Sequence, residues 1–245
     1  MEIYIEKDSH LASVKAAESI KKLLYRKPNA VLGLATGSTP LDMYRVLIDQ
    51  QHRKEISFAQ VITFNLDEYV GLPTSDKNSY RSFMDENFFN HIDIDKSCTH
   101  VLDGMSKNIA TTCDNYEHAI KDAGGIDLQV LGLGADAHIG FNEPMSSFKS
   151  RTRLEKLNPK TISDNARFFD GDESKVPTQA ITMGIDTIMD AKSIVLLAFG
   201  ANKADAVLAM LEGQVTESVP ASILQRHPNA KIFLDEAAAS KLTRK

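Results

Sequence analysis

The sequence predicts an α/β fold: a single doubly wound, mostly parallel sheet with helices on both faces. Three observations carry that reading. Short, nearly continuous apolar runs alternate with longer amphipathic ones. Such runs suit strands covered on both faces, the situation in parallel sheets. The 245 residues are 42% hydrophobic and 25% charged, enough apolar material for a large core.

Taken in order, the first strand is Glu2–Ile5, followed by a helical pattern over Leu11–Leu24. Ala30–Ala35 reads as a buried strand, and Pro40 opens the next helix, Leu41–Gln51. A third strand, Gln60–Asn65, runs into a polar turn, and helices follow over Ser79–Asn87 and Thr111–Ala123. Leu128–Leu133 is the fourth strand. Arg151–Gly184 is the least regular stretch, with Pro159, Gly171 and Pro177; a connection that long is often functional, as a lid is. Ser193–Ala198 and Lys231–Leu234 complete the strands, each followed by a helix, Lys203–Leu211 and Glu236–Leu242. There is no internal repeat and no low-complexity linker, so residues 1–245 read as one domain.

Composition excludes several classes. With 28 basic and 33 acidic residues the net charge is −5, which argues against a nucleic-acid partner. Cys98 and Cys113 lie in no CxxC motif and no zinc spacing, so two reduced thiols and no metal centre are expected. No apolar stretch approaches membrane-spanning length, and the acidic N-terminus lacks the pattern of a signal peptide. A cytoplasmic protein is expected.

Three strand ends carry chemistry, and ligands of such folds bind at the carboxyl ends of strands. Thr36-Gly37-Ser38-Thr39 offers three hydroxyls, a flexible glycine and a helix N-terminus, a combination that suits phosphate. Plain helix capping explains it equally well. Asp67 and Glu68 follow the third strand; adjacent residues alternate in direction, so at most one faces a cleft, as a general base or a turn former. Asp136 and His138, two apart, project to the same side of an extended segment, where the carboxylate orients the imidazole for proton transfer. Glu143 is close enough in sequence to reach the same ring. Gly132-Leu-Gly134-Ala-Asp-Ala137 matches a dinucleotide fingerprint, but Gly140, Asn142 and Pro144 follow where a helix should start, so no nicotinamide cofactor is expected.

The motifs TGSTP, TFNLDEYVGL, SYRSFM, GADAHIGFNEP, SRTR and NARFFD, in this order, resemble the glucosamine-6-phosphate deaminase family over essentially the whole chain. The resemblance implies a Rossmann-like fold of the sugar-phosphate isomerase type. It implies conversion of glucosamine 6-phosphate to fructose 6-phosphate and ammonia, without metal or organic cofactor. It makes Asp67 the base that moves the C2 proton to C1 and His138 the ring-opening group, with Asp136 and Glu143 in support. It makes Thr36, Gly37, Ser38, Thr39, Arg167 and Lys203 the phosphate-binding set, and residues 150–182 the lid. The family pattern Asn-Asp-Gly-His stands here as Ala135-Asp136-Ala137-His138.

Two other readings are weighed. A 6-phosphogluconolactonase-like hydrolase shares the histidine turn but has no need of Glu143. The effector domain of a sugar-phosphate-responsive regulator would sit beside a DNA-binding segment, and a chain that begins with a core strand leaves no room for one. Some longer family members are hexamers activated by N-acetylglucosamine 6-phosphate at a site that resembles the neighbourhood of Ser146, Arg151 and Arg153. Here Glu155 stands where those members carry a lysine, and the aromatic residue of their longer C-terminal segment has no counterpart. A monomer or small homo-oligomer without that activation is expected.

Overall fold

All six predicted strands form, and the central ones form because their side chains are buried on both faces. The computed structural model describes residues 1–243. In β2 (Val31–Leu34) and β9 (Ile194–Ala198) every residue is buried, and in β6 (Leu128–Gly132) all but the last. With β1 (Glu2–Glu6), β3 (Ile62–Asn65), β5 (Thr99–His100) and β10 (Ala230–Asp235) they make a seven-stranded sheet in the order β1-β10-β9-β6-β2-β3-β5. Every pairing in it is parallel.

The helices show why they pack where they do. α1 (Ser9–Arg26) buries Ala12, Ala16, Ile20 and Leu24, one stripe at helical spacing, and the Asp8 carboxylate caps its N-terminus. α2 (Leu41–His52) packs against α1 and buries Met43, Tyr44 and Leu47. α3 (Tyr80–Asn87) is capped by Ser79, and α4 (Ile109–Asp122) buries Cys113, Tyr116 and Ile120.

Two expectations need correction. The 150–182 segment is not irregular. It holds β7 (Arg153–Lys156), the short α5 (Pro159–Asn165) and β8 (Gln179–Thr182). β8 pairs antiparallel with β7 and with β4 (Asp67–Tyr69), making a second, three-stranded sheet that carries Asp67. A small apolar cluster of its own (Tyr69, Phe141, Leu157, Ala166, Phe169, Val176 and Ala180) supports it. The other correction is at the end. Residues 236–242 form turns instead of a helix, although Ala238, Ala239 and Leu242 are buried against the core. α6 (Ile185–Met189) and α7 (Ala204–Glu212) complete the chain's helices among the described residues.

Candidate active site

The chain adds β3 and β5 on one side of β2, then returns to place β6 on the other. The connections leaving β2 and β6 therefore diverge, and a crevice opens at their carboxyl ends. A cavity of about 560 Å³ lies there, lined by Thr36, Gly37, Ser38, Thr39, Asp67, His138, Arg167 and Lys203 among others. The structure thus brings together residues spread over most of the chain.

The 36–39 loop turns with Gly37 at φ +86°, a conformation that favours glycine. Pro40 precedes α2 and no side chain caps that helix. Capping therefore does not occupy the hydroxyls of Thr36, Ser38 and Thr39. All three line the cavity. Two cations join them from elsewhere. Arg167 sits on a 3-10 turn after α5, its guanidinium 4.7 Å from the Phe168 ring centroid. Lys203 ends the 3-10 turn before α7. Its loop is held by the Asp235 carboxylate, which accepts the Gly200 N–H at 2.9 Å and 3.0 Å. Among the described residues neither cation has a salt-bridge partner. Burial and the neighbouring Arg167 charge lower the Lys203 pKa, against the pull of Asp164 and Asp136. An anion in the cavity would relieve both cations.

Asp67 and Glu68 alternate across β4 as the sequence requires. Glu68 turns away, and its carboxylate accepts backbone N–H groups of Tyr69 at 2.8 Å, Tyr80 at 2.9 Å and Arg81 at 3.0 Å. Two of these donors belong to the first turn of α3, so Glu68 anchors that helix. Asp67 lines the cavity, is 6% exposed, and has no hydrogen-bond partner among the described residues. Burial, with the Glu68 charge added, pushes its carboxyl up to about 8. A proton acceptor poised that close to neutrality is suited to general base chemistry.

His138 and Asp136 do meet, but through a turn and not through extended backbone. The Ala137 N–H donates to Gly134 O, and the Gly134 N–H donates back to His138 O. Ala137 takes φ +63°, the conformation that glycine supplies in the family pattern. The turn sets His138 Nδ1 at 2.6 Å from Asp136 Oδ1. Burial opposes ionisation of Asp136, but the hydrogen bond and charge of His138 outweigh it and hold the carboxyl down at about 2. The imidazole lies flat on Gly134: a Cβ there would be 2.3 Å from Nδ1. Nδ1 is thus engaged, and Nε2 is left for a ligand.

Glu143 is placed differently from the expectation. It makes no hydrogen bond with His138. Its Oε1 accepts the Asn158 N–H at 3.2 Å and the Thr161 hydroxyl at 2.5 Å, at the start of α5. The unsatisfied N–H groups of a helix start attract a carboxylate. Sequence reasoning also passed over Tyr69, Tyr80 and Phe141, which wall the cavity beside Asp67. The available signal was spacing: Tyr69 is two residues from Asp67 on one strand, hence on the same face.

The fold and cavity define the class, an α/β protein with a site in the crevice at its topological switch point. The chain belongs to the glucosamine-6-phosphate isomerase/6-phosphogluconolactonase family, whose pattern matches residues 7–233. It is 55% identical over 243 residues to glucosamine-6-phosphate deaminase of Shewanella woodyi, covering 99% of this chain and 92% of that one. A solved structure of a monomeric glucosamine-6-phosphate deaminase superposes with a TM-score of 0.95 at 42% identity, over 98% of this chain and 99% of that one. 6-Phosphogluconolactonase from Trypanosoma cruzi shares the fold, with a TM-score of 0.78 at 20% identity over 99% and 97% of the two chains.

The basic residues near the expected effector neighbourhood are engaged within the chain. Arg153 donates to Glu155, to Asn142 Oδ1 at 2.9 Å and to Ser146 Oγ at 3.4 Å. Arg151 pairs with Glu117 and Asp190 at 2.6 Å and with Asp186 at 3.3 Å.

Proposed function

We propose that this protein is a glucosamine-6-phosphate deaminase, an enzyme that converts glucosamine 6-phosphate to fructose 6-phosphate and ammonia. The observation that carries it is the convergence of an isolated buried carboxylate and an Asp-oriented imidazole on one cavity that also holds unpaired cations and free hydroxyls. Relatives about half identical over nearly the whole chain bear that activity in their names.

The phosphate sits on the 36–39 loop with Arg167 and Lys203, and this remote binding fixes the reacting carbons. His138, oriented by Asp136, moves the proton that opens the ring, through its free Nε2. Asp67 takes the C2 proton and returns it to C1. Two tasks need two groups of different basicity, and two strand ends provide them. Residues 150–182 act as the lid: they bring Arg167 over the cavity and are tied by Glu143 to the histidine turn. Glu143 supports catalysis through that tie. The enzyme acts in the cytoplasm as a monomer or small oligomer, without an organic cofactor.

The test is ammonia release from glucosamine 6-phosphate by the purified protein, with fructose 6-phosphate appearing in equal amount. Hydrolysis of 6-phosphogluconolactone without ammonia release from the amino sugar would assign the lactonase reaction instead.

A further inference from the structure

Asp67 is an unusual buried carboxylate. Among the described residues nothing donates a hydrogen bond to it, and burial and the Glu68 charge are what shift it. Buried charges in proteins are ordinarily paired. The space in front of it is kept open by Gly140, at φ +58°, where an added Cβ would lie 3.6 Å from Asp67 Oδ2 and 3.0 Å from Thr182 Oγ1.

The surroundings of that carboxylate are aromatic. Tyr69 shares its face of β4. Tyr80 lies with its ring centroid 4.9 Å from Tyr69 and runs parallel to Phe141 at 6.2 Å, with 8° between planes. Tyr69, Tyr80 and Phe141 all line the cavity. The Tyr69 hydroxyl is buried without a well-formed hydrogen bond, with the side chains of Tyr80 and Asn165 as its polar neighbours. An aromatic wall beside a lone carboxyl group attracts an alkylammonium doubly, through the ring quadrupoles and through the carboxylate charge that Asp67 takes on when the cation arrives. It does little for a hydroxyl in the same place.

We propose that Tyr80, Phe141 and Tyr69, with Asp67, form a subsite for the C2 ammonium of the substrate, and that the aromatic wall selects 2-amino over 2-hydroxy sugar phosphates. This rests on the sugar-phosphate reading above and adds the group that makes the site specific for amino sugars. The phosphate end binds both kinds of sugar alike. Discrimination therefore resides at the far end of the cavity, where the ligand's positive charge replaces a counter-ion the protein does not supply.

The experiment compares two non-reacting probes, 2-amino-2-deoxyglucitol 6-phosphate and glucitol 6-phosphate, by calorimetry at pH 7. The native protein is expected to bind the amino compound more tightly. Tyr80→Leu and Phe141→Leu should each reduce that preference on the order of 3- to 30-fold, the strength of a desolvated cation–aromatic contact. Affinity for glucitol 6-phosphate should stay within about twofold. Tyr80→Phe keeps the ring and should keep the preference; it is also the variant to rely on if a leucine variant fails to fold, set against Phe141→Tyr as a second ring-preserving change. An unaltered preference in both leucine variants, or equal losses for both probes, overturns the aromatic subsite. Equal binding of both probes by the native protein overturns it too, while leaving the sugar-phosphate reading in place. Failure of both probes to bind the native protein refutes the sugar-phosphate reading itself.

Discussion

Replacing Asp67 by Asn removes a carboxylate that the fold holds at a cost, so the variant should be inactive and more stable. The carboxyl is raised from 3.8 to about 8 on folding. A group whose folded pKa lies above its unfolded value binds more protons in the folded state across the interval between them. Stability is therefore highest below the unfolded pKa and falls as pH rises to the folded value. Each pH unit in that interval is worth about 1.4 kcal/mol. From 3.8 to pH 5 the native protein loses about 2 kcal/mol, and by pH 7 about 4 kcal/mol. The Asn amide does not titrate and is as poorly hydrogen-bonded there as the neutral acid. Relaxation of the site reduces the gain, so about 2–4 kcal/mol is expected at pH 7, or roughly 4–16 °C in Tm. The assay is urea unfolding of both proteins at pH 5 and pH 7. The gap between them should widen with pH; a gap of equal size at both values, or a less stable variant, refutes the reasoning. Activity should fall by about 100-fold or more, together with exchange of the C2 proton with solvent. Near-normal exchange in the variant would place the base elsewhere.

His138→Gln should slow reaction of the cyclic sugar far more than reaction of an open-chain analogue, since the imidazole serves ring opening; equal losses would argue against that role. Arg167→Ala and Lys203→Ala should raise KM for glucosamine 6-phosphate strongly, with the arginine mattering more because it can clamp phosphate through two parallel hydrogen bonds. Unchanged KM in both variants would remove them from the phosphate site. Rate against substrate should be hyperbolic and unaffected by N-acetylglucosamine 6-phosphate, because Glu155 already occupies the Arg153 guanidinium and Arg151 is held by three carboxylates. Sigmoidal kinetics relieved by that compound would overturn this.

The parts of the fold legible in advance are those whose cause is local. A strand such as β9, buried at all five positions, must be apolar throughout, and α1 must carry an apolar stripe at helical spacing; both patterns survive in one dimension. The second sheet leaves no such trace. β4 is three residues long with two carboxylates, β7 alternates basic, apolar and acidic residues, and their shared partner β8 lies more than a hundred residues after β4. Only non-local pairing makes strands of them. The 236–242 segment errs the other way: its alanines favour helix, but the structure forms turns there.

The chemistry divides along the same line. Residue types and spacing by themselves determined that Thr36–Thr39 ends one strand, that Asp67 and Glu68 point oppositely, and that His138 has Asp136 within reach. These follow from short sequence separation and from the alternation of side chains along a strand. Tertiary structure alone decided that α2 lacks a side-chain cap, that Asp67 is buried without a hydrogen-bond partner among the described residues, and that Glu143 holds the start of α5 and not the imidazole. It alone decided that Arg167 and Lys203 stand in the same cavity with no salt-bridge partner among the described residues. Burial and charge pairing are properties of neighbours brought from distant positions. Asp67 acquires its basicity from burial by residues brought from distant positions, with the charge of the neighbouring Glu68 added.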